Sequence, residues 1–133
     1  MRSDTKTIAI DARPEDVFAL LADPVALPRW AIGFAKSVAQ HGDDWTVELA
    51  SGDHVPIRYV TNSELRVVDF HVEPAPGVEA VAHTRVLSSG AGAEVVFTQF
   101  QGDQPDEIFD AQVEAVRHEL VVLKALAETT CPL

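Results

Sequence analysis

His83 and Arg85 stand two residues apart in a strand-forming run, so their side chains leave the chain on the same side. An arginine fork can hold a carboxylate or enolate oxygen, and a histidine can move a proton near neutral pH. Counting back from the turns puts Thr98 opposite His83 on the next strand, with Glu48 and Tyr59 beside the same space. These residues could grip an oxygen and shuttle a proton on a small molecule, which makes His83 and Arg85 the catalytic candidates. The same residues also fit a purely structural role. Arg85 would then pair with Glu48 or another acid, and His83 would be a hydrogen-bonded core histidine.

A second constellation is Asp69, His71 and Glu73, which alternate on one strand and offer three oxygen or nitrogen ligands to one side. Alternating polar residues are equally the mark of a solvated sheet face, and no second histidine pair or cysteine cluster supports them. No metal and no cofactor are expected. The chain has no glycine-rich phosphate loop, nucleophile elbow or His-x-x-x-His pair. Gly90-Ala91-Gly92 lies between two strand runs and reads as a hairpin turn.

Composition narrows the classes of partner. The chain has 133 residues, one domain's worth (1–133), with 47% hydrophobic and 23% charged residues, and it can bury a core without staples. Ten Lys and Arg against 21 Asp and Glu leave a net charge of −11, which repels nucleic acid and anionic membrane. Cys131 is the only cysteine and excludes an intrachain disulfide. No run approaches the ~20 apolar residues of a membrane span, and the first residues do not read as a secretory signal. A cytoplasmic protein without integral membrane association is expected.

The elements that must position these residues are legible from periodicity. Pro105 to Glu128 reads as one long amphipathic helix, with Phe109, Val113, Val116, Leu120, Leu123 and Ala127 on one stripe. Thr7 to Asp11 is a strand; Pro14 opens a helix that Asp23-Pro24 ends, and Ala26 to Trp30 form a second short helical turn. Six runs follow, 34–40, 45–50, 55–61, 65–72, 78–87 and 93–101, separated by turns too short for parallel crossovers. The order is strand, two short helices, six strands, long helix: an α+β domain.

Hairpin counting sorts the strand side chains into two faces. Val55, Ile57, Tyr59, Val68, Phe70, Val72, Val81, His83, Arg85, Val96, Thr98 and Phe100, with Glu48, form the more apolar set and are assigned to the helix side. Asp69, His71, Ala80, Ala82 and Gln99 fall on the outer side. Val67, Val95 and Phe97 join them there, suggesting a self-association surface and hence a homodimer as one reading.

The run Ile8-Ala9-Ile10-Asp11-Ala12-Arg13-Pro14-Glu15-Asp16-Val17-Phe18, then Leu21-Ala22-Asp23-Pro24 and Pro28-Arg29-Trp30, resembles the opening of the START/Bet v 1-like (SRPBCC) superfamily. Gly92-Ala93-Glu94-Val95-Val96-Phe97-Thr98 and the ending Glu119-Leu120-Val121-Val122-Leu123-Lys124-Ala125-Leu126 are similar to its close, as in small bacterial polyketide cyclase/dehydrase-like members. The resemblance covers almost the whole chain. It implies a helix-grip fold, in which a curved seven-stranded antiparallel sheet grips the C-terminal helix and a cavity lies between them. On that reading Trp30 and Phe34 sit at the cavity mouth. Phe70, Phe100, Val113, Val116 and Leu120 line it beside Glu48, Tyr59, His83, Arg85 and Thr98. Gln112 and Glu119 flank the helix stripe, with Glu119 expected in solvent.

Three functions are compatible with these features. The first is binding of a hydrophobic, aromatic or polyketide-like molecule. The second is a cyclase, aromatase or dehydratase using the same cavity. The third is a protein-interaction module of the co-chaperone kind, which the resemblance also implies.

Overall fold

A computed structural model describes residues 1–133, and its elements follow the predicted order. Strand β1 (Ser3–Ile10) leads into helix α1 (Pro14–Ala22), and a 3-10 turn (Pro24–Ala26) runs into the single-turn helix α2 (Leu27–Trp30). Strands β2 (Ala35–His41), β3 (Asp44–Leu49), β4 (His54–Asn62), β5 (Val67–Ala75), β6 (Val78–Ser89) and β7 (Gly92–Phe100) follow, then helix α3 (Asp106–Thr130). The strands form one antiparallel sheet in the order β1-β7-β6-β5-β4-β3-β2. The curved sheet wraps α3, with α1 and α2 beside it, in a helix-grip fold.

Local chemistry explains the boundaries. Pro14 occupies the first turn of α1 with Glu15 and Asp16, and the Asp23 carboxylate accepts the Val25 N–H to start the 3-10 turn. Pro76 and Gly77 connect β5 to β6, where a φ of 76° at Gly77 suits the second central position of a type II turn. On α3 the predicted stripe is real: Phe109, Val116, Leu120, Leu123 and Ala127 are buried, and Val113 is half-buried. No helix is long and apolar enough to cross a membrane.

The structure corrects one assignment with wide consequences. Counting back from the Pro76–Gly77 turn pairs Phe70 with His83. A bulge between Val72 and Ala75 inserts one residue, so Phe70 pairs with Ala82 and Val68 with Thr84. A single step of register exchanges the faces of β6, and of β7 paired to it. His83, Arg85, Val81, Val96, Thr98 and Phe100 therefore lie on the convex face, not against α3. Ala80, Ala82, Thr84, Val95, Phe97 and Gln99 take their places. Glu48 is also outside, because Val47, not Glu48, is the buried partner of Val55. Burial of Val95 and Phe97 removes the self-association patch expected from them. Strand β1 begins at Ser3 rather than Thr7, since its polar first half lacks the apolar alternation that marks a strand.

Candidate functional site

The corrected register lays Tyr59, Phe70, Ala82 and Gln99 side by side across β4, β5, β6 and β7 on the concave face. Neighbouring strands lie about 4.8 Å apart, so this row spans roughly 14 Å. Phe70 is its centre. The Tyr59 ring meets it edge-on at 5.1 Å between centroids, and the Trp30 ring, from the end of α2, lies tilted at 6.0 Å.

Burial along the concave face is uneven. In the adjacent row Val68, Thr84 and Phe97 are buried, whereas Tyr59, Val72, Ala80 and Ala82 are half-buried. The helix shows the same grading, because Val113 and Ala115 are half-buried while Val116, Leu120 and Leu123 are covered. Small residues on β6 thus leave a trough open toward the N-terminal half of α3. At one flank β3 stops pairing with β4 beyond Trp45 and Ile57, although β4 continues to Asn62. A cleft of about 770 Å³ opens there, lined by Pro24, Trp45, Ile57, Tyr59 and Val72 together with polar residues of both faces. The cleft includes none of Trp30, Phe70, Ala82, Gln99 or Glu119, so it adjoins the trough only at Tyr59 and Val72.

Three buried polar atoms around this trough have no hydrogen-bond partner: Trp30 Nε1, the Tyr59 hydroxyl and Gln99 Nε2. All three can donate. Trp30 is 3% exposed and Gln99 9%, so water does not freely compensate them. Leaving such a donor unpaired costs about 1–3 kcal/mol. Burial, with Asp23 adding to it, pushes the Tyr59 phenol up, so it keeps its proton and remains a donor. Thr84, by contrast, is satisfied by donating to the Val68 carbonyl.

Glu119, expected in solvent, is instead buried where α3 meets the α2–β2 connection. It is 5% exposed, and its Oε2 accepts the Gly33 N–H at 3.0 Å. Burial raises its carboxyl from 4.5 to about 7, with the Gly33 N–H opposing, and no cation offsets the burial. A side chain at Gly33 would be crowded, since its Cβ would stand 3.1 Å from Glu119 Oε2 and 3.3 Å from the Ala115 Cβ and these neighbours would have to give by a few tenths of an ångström. Gly33→Val should therefore cost about 1–3 kcal/mol in chemical denaturation. A stability equal to that of the original chain would mean that the α2–β2 connection is not clamped against α3.

The remaining predicted site residues divide cleanly. Tyr59, Phe70, Trp30, Val116 and Leu120 are buried or half-buried on the helix side, and Phe34 and Val113 are half-buried at its margin. On the convex face His83 Nδ1 lies 3.2 Å from Asp69 Oδ1, Thr98 shares a hydrogen bond with Thr5, and Glu48 accepts from Ser37. Phe100 stands beside His83, and Arg85 is exposed. The three alternating ligand types do not converge either. Asp69 serves His83, His71 meets Glu79 at 3.1 Å, and Glu73 accepts the Gly77 N–H.

A family model described as polyketide cyclase / dehydrase and lipid transport matches residues 1–128. No curated protein sequence matches the chain. Among solved structures, the protein XoxI from Bacillus cereus superposes with a TM-score of 0.76 at 18% identity, covering 96% of both chains. The di-domain ARO/CYC protein BexL of the BE-7585A biosynthetic pathway gives 0.72 at 23% identity, covering 94% of this chain and 46% of that one. The Aha1 dimer from Colwellia psychrerythraea gives 0.76 at 14% identity, covering 96% and 97%. At these identities the structural likenesses establish the fold alone.

Proposed function

Because the chain belongs to the polyketide cyclase / dehydrase and lipid transport family, we propose that its trough binds a hydrophobic, aromatic or polyketide-like small molecule. The observation that carries this reading is the set of unpartnered donors, Trp30 Nε1, Tyr59 hydroxyl and Gln99 Nε2, around the apolar floor of Phe70 and Ala82. A flat ligand with acceptor oxygens would satisfy the donors and cover the aromatic rings in one step. Arg85 and His83 do not enter this reading, because both face away from the helix.

Native mass spectrometry of the purified protein tests the reading through a co-purifying molecule, and tryptophan fluorescence titration with an aromatic ketone measures the affinity. Tyr59→Phe and Gln99→Leu should each weaken binding about tenfold while the circular dichroism is unchanged. Unchanged affinity in both variants would place the ligand elsewhere.

Glu119 favours a second reading, in which the same trough catalyses a cyclisation or dehydration. A carboxyl titrating near neutrality can take a proton from a carbon beside a carbonyl and return it to a departing hydroxyl. The likeness to an ARO/CYC protein agrees with such chemistry. Turnover of a linear β-polyketone that survives Glu119→Gln undiminished would remove Glu119 from that role.

A further inference from the structure

Strand β1 is a free edge of the sheet, pairing only with β7. The Gln101 N–H donates to the Arg2 carbonyl, and antiparallel bonding alternates every second residue. Even-numbered residues of β1 therefore turn their backbone groups to β7, and Ser3, Thr5, Thr7 and Ala9 turn theirs outward. Helix α3 closes the upper end of this edge. Lys124 donates to the Ala9 carbonyl at 3.0 Å, and Glu128 accepts the Asp11 N–H at 2.8 Å. No side chain caps the backbone from Ser3 to Thr7.

The residues beside the open part are complementary to themselves. Asp4 and Lys6 project toward α3, largely buried and ion-paired with each other. A hollow of about 390 Å³ runs along the same edge, lined by Asp4 to Ile8 with Arg117, Leu120 and Val121. Val121 is 57% exposed there. The opposite edge strand, β2, is broken by a bulge between Ala35 and Ser37, which spoils it as a template.

We propose that Ser3–Thr7 pairs antiparallel with the same segment of a second copy of this chain, about a two-fold axis through Thr5. Thr5 exchanges N–H to carbonyl bonds with Thr5 of the partner subunit, and Ser3 does so with the partner's Thr7. Between these bonds Asp4 faces the partner's Lys6 in a non-hydrogen-bonded pair, where side chains come closest. The charge selects the occupant. An inward-pointing lysine, held on its own chain by Asp4 alone, blunts an edge against strands that bring no further carboxylate when they cover it. A second copy brings Asp4 to that position, twice, in a closed isologous contact. The α3 cap begins at Ala9, just beyond the paired stretch, so the helix limits the interface instead of blocking it.

Light scattering after size exclusion, over a concentration series of the full chain, tests the proposal. A dimer should grow in with concentration. Thr5→Pro removes an N–H that β7 does not use, so the variant should keep its circular dichroism and run as a monomer. Asp4→Lys and Lys6→Asp should each weaken the dimer about tenfold or more, and mixing the two variants should restore it as a heterodimer, although neither chain then has the internal pair. The charge pair decides the matter if the proline variant fails to fold. A chain that stays monomeric at every concentration overturns the proposal. So does a dimer indifferent to Thr5→Pro, or a pair of charge variants that do not associate when mixed.

Discussion

Glu119→Gln should make the protein more stable at pH 8 by roughly 3 kcal/mol and leave its stability at pH 4 almost unchanged. The folded carboxyl holds its proton up to about pH 7, whereas an ordinary one releases it near 4.5. Between those values the unfolded state binds fewer protons than the folded state, so stability falls as pH rises through the window. Above about 7 the loss is complete and constant. The amide of the variant keeps an oxygen for the Gly33 N–H and carries no charge to desolvate, so its curve lacks this fall. Urea denaturation of both proteins across pH 4 to 8 gives the difference directly, and effects of the other acids cancel. Parallel curves would show that Glu119 is hydrated when ionised.

A penalty of that size is large against the ~5–15 kcal/mol that a domain of this kind has in total. Glu119 has no salt-bridge partner to recover it, and its one hydrogen bond goes to a backbone amide. A neutral glutamine would fasten the α2–β2 connection as well. An acid retained at this cost is consistent with a group that changes protonation in use, which is the link between the stability curve and the proton-transfer reading of the trough. The two measurements are separable. A variant that gains stability and keeps turnover would leave the acid without chemical employment.

The sequence made the scaffold legible because its signals are local. The stripe from Phe109 to Ala127 repeats at helical spacing, and Gly42, Gly77 and Gly90 punctuate hairpins, so element order and the gripped helix follow from short-range rules. The site was only half legible, for a reason that can be placed at one residue step. Tyr59 and Phe70 precede the bulge after Val72 and face the helix as expected; His83, Arg85 and Thr98 come after it and face out. A bulge leaves no strong mark when prolines and small residues surround it, as Pro74, Ala75 and Pro76 do here. Glu119 was hidden differently. Its place beside an apolar stripe looks solvated until the distant Gly33 is seen to approach with no side chain of its own. Gln99 escaped with the same register step that moved His83.

Phe70→Ala should lose about 3–5 kcal/mol of stability. Phe70 is 5% exposed and joins two aromatic neighbours that do not otherwise meet in a ring contact, Trp30 from α2 and Tyr59 from β4. Truncation removes the buried ring and both ring contacts, each worth about 0.5–1.5 kcal/mol beyond area. The expected loss sits toward the lower end, because half-buried Ala82 and Tyr59 border the site and give the vacated volume access to water or to rearrangement. Phe70→Leu restores most of the volume without the ring, so it should recover over half of the stability and none of the aromatic contact. Near-ultraviolet circular dichroism follows Trp30 and Tyr59 while denaturation follows stability. If the alanine variant stays within about 1 kcal/mol of the original, Phe70 is not packed as a keystone. The trough would then be a wetter, looser space than its burial pattern implies. If leucine keeps the stability yet abolishes ligand binding, the ring itself is the recognition surface.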